Sequence, residues 1–146
     1  MSKPGSEKLI SAVAKAWGKE IRVRSFNDRL VMQKGCFLLN DMGVLPRYKF
    51  RLYIRGPYSS ELADDYYELL KGNMIPSDTD VGSGYIEELS GIMSKGIPYL
   101  EAYSTLILAR GYNPEMNASE LKDFVLKIKP ALKKEVEEAA TSPIFR

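Results

Sequence analysis

The chain of 146 residues contains no histidine. That excludes Ser-His and Cys-His nucleophile pairs and every metal site built on imidazole. Cysteine is nearly as scarce. Cys36 alone can form no internal disulfide and no cysteine-rich zinc site. It stands within an apolar run beside Phe37 and Leu38, where a free thiol reads as a packed core residue rather than a nucleophile. No apolar run approaches the roughly 20 residues of a membrane-spanning helix. The opening "MSKPGSEKLI" lacks the basic end and apolar block of a secretory leader, so the expected compartment is the cytoplasm.

Nucleotide and calcium motifs are also missing. In "SDTDVGSG", Asp78 and Asp80 have calcium-loop spacing, but Gly82, Ser83 and Leu89 fall where such a loop needs an acid or Asn, a glycine and a glutamate. Gly82 and Gly84 lack the third glycine of a dinucleotide fingerprint, and no Walker lysine follows. No cofactor or metal is expected, and the reading is non-enzymatic.

What is present is an ordinary globular composition, 45% hydrophobic and 27% charged, at a length suited to a single domain spanning 1–146. Net charge is +2 but unevenly spread. Residues 1–57 carry 12 Lys/Arg against 4 Asp/Glu; residues 58–146 carry 9 against 15. Such asymmetry can steer a charged partner, or the two halves can complement each other within the fold.

Hydrophobic periodicity predicts a mainly helical chain. Leu9, Ile10, Val13 and Trp17 form the stripe of a helix over 5–20. "IRVRS" follows as a brief strand or a connector. Ser25 or Asn27 can cap a second helix that runs to about Asp41 and ends at Gly43. From Pro46 the chain alternates: Tyr48, Phe50, Leu52 and Ile54 on one strand face, Lys49, Arg51, Tyr53 and Arg55 on the other. Gly56 and Pro57 are expected to stop that strand and turn the chain into a helix capped by Ser59 or Ser60. In that helix Leu62, Tyr66, Leu69 and Leu70 point inward. Glu61, Asp64, Asp65 and Glu68 are assigned to a solvated outer face, the first acids being favoured by the helix dipole. The loop "NMIPSDTDVGSG" is the expected mobile segment. Helices over 85–94 and 98–110 follow, the latter closed by Gly111 and the most buried, since Glu101 and Arg110 are its only charges. Asn117 and Glu120 make a capping box for a helix with Leu121, Phe124, Val125 and Ile128 inside. Pro130 should break the chain before a last helix over 131–139.

The basic residues Arg22, Arg24, Arg29, Lys34, Arg47, Lys49, Arg51 and Arg55 fall within 34 positions. Two readings stand. In the first, a protein partner binds where the basic strand face meets the acidic helix, through Arg51, Tyr53, Arg55, Tyr58 and Asp65. In the second, a winged-helix-like nucleic-acid binder uses Arg22, Arg24, Lys49, Arg51 and Arg55. No membrane is involved in either.

"RLVMQKGCFLLNDMG" and "YKFRLYIRGPYSSELADDYYELL" together resemble a family of small, largely uncharacterised archaeal and bacterial proteins with a Gln-Lys helix and a Gly-Pro-Tyr-Ser turn. More distantly, they resemble the Panacea antitoxin-like domain. The matching positions are Gln33, Lys34, Gly56, Pro57, Tyr58 and Ser59, within residues 26–72. Gly35 and Cys36 replace the aliphatic residues usual after Gln-Lys. The resemblance implies a mainly helical domain with a small sheet and a regulatory or interaction role without known catalysis, antitoxin-like or adaptor in kind.

Overall fold

A computed structural model describes residues 2–71 and 81–145. Of the expected mobile loop, residues 73–80 with both aspartates lie outside these residues, while Ser83 and Gly84 belong to a helix. The chain is mainly helical with one small sheet. Its helices are α1 (Ser6–Trp17), α2 (Phe26–Asp41), α3 (Ser60–Lys71), α4 (Ser83–Met93), α5 (Ile97–Tyr112), α6 (Ala118–Ile128) and α7 (Lys133–Ala140). Strands β1 (Arg51–Tyr53) and β2 (Gly56–Tyr58) pair antiparallel between α2 and α3. None of the described helices is long and apolar enough to cross a membrane.

Helix α5 forms the centre, packing against α2, α4, α6, α7 and β2. Every residue from Tyr99 to Ala109 is buried, as its near absence of charge requires. It runs one residue past Gly111 and is capped by Asn113. Glycine is tolerated inside a helix at a modest cost, and Pro114 supplies the stop. Residues Leu9 and Val13 of α1, Val31 and Leu38 of α2, Leu62 and Tyr66 of α3, and Val136 of α7 join the same core.

The caps follow side-chain chemistry. Ser25 Oγ accepts from the Asp28 amide, and Ser59 Oγ from the Leu62 amide. Asn117 and Glu120 exchange both bonds of a capping box. Residues 21–25 form a connector with no strand. Gly35 is where α1 and α4 approach α2 most closely, because a Cβ there would lie 2.6 Å from Val13 Cγ1 and 2.9 Å from Met93 Cε. The neighbouring thiol of Cys36 is fully buried, and burial pushes its pKa up.

The 46–55 strand is corrected. Only Arg51–Tyr53 is extended in a ladder, and Gly56-Pro57-Tyr58 is its partner strand, with Tyr53 opposite Gly56 and Arg51 opposite Tyr58. A two-residue turn at Ile54 and Arg55 reverses the chain. Gly56 closes that turn at φ +97°, where only glycine is unstrained. Pro57 is accommodated because a two-stranded ribbon is edge throughout. The single face expected of Tyr48, Phe50, Leu52 and Ile54 is therefore not formed: Tyr48 is buried, whereas Leu52 and Ile54 are exposed, Ile54 by 88%. Ile128, expected inside α6, is also exposed, since α6 ends there.

Candidate functional site: the clamped hairpin and its aromatic cavity

The hairpin is held by α2 and α5 through polar side chains. Gln33 acts on Ser59 as a neighbouring strand would: its Nε2 donates to Ser59 O at 2.9 Å, and its Oε1 accepts from Ser59 N at 2.8 Å. Lys34 donates from Nζ to Pro57 O at 2.8 Å. Both side chains are buried. The Gln-Lys pair and the Gly-Pro-Tyr-Ser segment are thus two halves of one clamp. Gly56 is the close-approach point, since a Cβ there would lie 2.8 Å from Thr105 Oγ1 on α5.

Behind the hairpin lies a charge cluster. Glu101 of α5 pairs with Arg55 (Nε to Oε1, 3.2 Å) and with Lys129 at the end of α6 (Nζ to Oε2, 3.1 Å). Lys129 also donates to Ile54 O, so it pins the turn from behind. Lys34 sits beside this group. Burial lowers its pKa to about 8; Glu101 opposes that shift, and Lys129 and Arg55 add to it.

In front of the hairpin is a cavity of about 250 Å³ between α2, the hairpin and α3. Its rings are Phe26, Tyr53, Tyr58, Tyr66 and Tyr67, and its cations are Arg29, Lys34 and Arg55. Tyr53 and Tyr58 meet edge to face with centroids 5.1 Å apart. The guanidinium carbons of Arg29 and Arg55 stand 5.8 and 5.4 Å from the Phe26 ring centroid. Burial raises the Tyr66 hydroxyl pKa to about 12, so the ring stays neutral. Of the residues that line it, Phe26, Tyr53, Ile54 and Tyr67 remain exposed, Tyr53 by 54%.

Of the residues expected to bind a partner, the fold brings Arg51, Tyr53, Arg55 and Tyr58 together on the hairpin. It removes Asp65. That carboxylate is 4% exposed and accepts from the Tyr48 hydroxyl at 2.5 Å and the Lys3 amide at 3.1 Å. Asp65 follows Leu62 by three positions and precedes Tyr66, which places it in the apolar stripe rather than opposite it. Among the other acids assigned to the outer face, Glu61 is exposed and pairs with Lys3 at 3.4 Å.

The basic residues expected for nucleic acid have different surroundings. Arg22 and Arg24 border a groove with Tyr67, Glu68 and Leu70. Lys49 and Arg51 are exposed. Arg55 turns to Glu101, Arg29 donates to Val23 O at 2.6 Å, and Lys34 is inside. Sequence reasoning missed Gln33, Glu101 and Lys129 as parts of one site. The available signal was a lone carboxylate in the otherwise apolar α5. Compared with protein-family models, curated proteins and solved structures, the chain matches none of them.

Proposed function

We propose that this chain is a non-enzymatic binding protein, regulatory or adaptor in kind, whose hairpin face engages a partner protein. The observation that carries this reading is the exposed apolar group around the cavity, with Ile54 at the hairpin tip 88% exposed and Tyr53, Phe26 and Tyr67 exposed along the same cavity. A fold does not need a large aliphatic residue at a turn. Contiguous apolar exposure of this kind, rimmed by charge, marks interaction surfaces. Tyrosine and arginine are also the side chains that most often dominate interface energetics. The hairpin is held in place, because Lys34 and Lys129 bond its backbone at Pro57 and Ile54, Gln33 bonds the adjoining Ser59, and Glu101 pairs with Arg55.

The test compares wild type with Tyr53→Ala/Ile54→Ser in affinity capture from the native host, with circular dichroism to verify folding. Both residues are exposed, so the fold should survive. A specific protein retained by the wild type should be lost, its affinity falling at least tenfold. Equal retention by the folded variant refutes this surface. Retention of nucleic acid instead, released steeply by salt, would favour the phosphate-binding reading.

A further inference from the structure

We propose that the aromatic cavity binds a carboxylate carried on an apolar stem, received by Lys34 and supplied by a side chain of the protein partner. This rests on the hairpin-face reading above and gives the chemistry of the group that the face receives.

The first support is a charge surplus. Three cations, Lys34, Arg55 and Lys129, surround one carboxylate, Glu101, which is within pairing distance of two of them. Lys34, Lys129 and Glu101 are all buried. An uncompensated positive charge in such surroundings is unfavourable, and an incoming anion offsets it. The second support is hydrogen-bonding capacity. An ammonium has three donors, and Lys34 makes one hydrogen bond among the described residues, to Pro57 O. It lines the cavity wall, and among the described residues no carboxylate lines the cavity with it.

The rings decide what carries the anion. Five aromatic side chains suit an apolar stem and cannot replace the hydration of a bare phosphate. Size decides the source. At about 250 Å³ the cavity is smaller than the roughly 300–1,000 Å³ of sites for drug-sized ligands, so it admits a single side chain rather than a nucleotide.

The experiment is an NMR titration of the full chain, following backbone amides, with three probes: N-acetylglutamate N-methylamide with its side-chain acid, the corresponding neutral glutamine amide, and inorganic phosphate. The acid should shift the amides of Gln33, Lys34, Gly56 and Tyr58 and bind at least tenfold more tightly than the amide. Lys34→Met should abolish that preference. A measurement on the wild type covers the case of a variant that fails to fold. With the Lys34 pKa at about 8, pairing with a carboxylate raises it, so binding at pH 8 should take up about half a proton in calorimetry with two buffers. Equal binding of acid and amide, equal shifts by phosphate, or no proton uptake would overturn the proposal. The two readings also fail separately. Acid binding at Lys34 with undiminished partner capture by Tyr53→Ala/Ile54→Ser refutes the partner as the source. Lost capture without acid binding refutes the carboxylate site and leaves the surface.

Discussion

Replacing Gly56 by alanine should cost more than any surface change in this protein, for two separable reasons. Its φ of +97° disfavours any residue with a Cβ, by roughly 1–2 kcal/mol. The new methyl would also lie 2.8 Å from Thr105 Oγ1, which cannot rotate away freely because it donates to Glu101 O at 2.7 Å. Overpacking of that kind costs roughly 1–3 kcal/mol. Together they give about 2–5 kcal/mol, a large part of the roughly 5–15 kcal/mol by which domains are stable. Urea denaturation followed by circular dichroism should show the midpoint falling by about 1–2.5 M at an m value of about 2 kcal/mol per molar urea. Adding Thr105→Ala should restore the steric part and leave the backbone part. Gly111→Ala is the control: it lies inside α5 with no atom within 4 Å of the added Cβ, so it should stabilise by up to about 1 kcal/mol. A Gly56→Ala protein within 0.5 kcal/mol of wild type, by the usual tolerance of surface sites, would refute the close approach.

Three further perturbations follow from the clamp. Gln33→Ala leaves the Ser59 amide buried and unpaired, while the Ser59 carbonyl keeps its bond from the Ala63 amide, and should lower stability by about 1–3 kcal/mol in the same assay. Gly35→Ala should destabilise despite the better helix propensity of alanine, because Val13 and Met93 occupy the space; a raised midpoint would show that α1 and α4 can move apart. Lys34 binds its proton less tightly folded, at about 8 against an ordinary 10.5, so the unfolded chain holds more protons between those values and stability rises with pH across them. The wild type should gain about 2 kcal/mol relative to Lys34→Met from pH 7.5 to 10, and a flat difference would mean that the amine is not desolvated.

Helix positions were legible because they depend on local periodicity and caps. The stripe of α1, the Asn117–Glu120 box and the break at Pro130 all need only neighbours in sequence. The hairpin was hidden by its own pattern. Alternation from Tyr48 to Ile54 reads as one half-buried strand, yet the chain reverses at Ile54 and Arg55, and nothing local distinguishes an aliphatic turn residue from a core one. Asp65 misled for a related reason: a carboxylate reads as exposed unless its partners, Tyr48 and Lys3, are known to lie opposite. The clamp joins residues far apart in the chain, Gln33 with Ser59, Lys34 with Pro57 and Lys129 with Ile54. The cavity depends on all of these at once.

The central claim, that the hairpin face receives a protein, is tested most directly by photocrosslinking in the native host. A benzophenone amino acid is placed at Ile54 or, as control, at Tyr112, which is also exposed but lies about 16 Å further along α5 than Glu101. The account predicts a discrete protein adduct at position 54, lost when Tyr53 is also changed to alanine, and none at 112. An adduct at 112 alone, or only nucleic acid captured at 54, would contradict it.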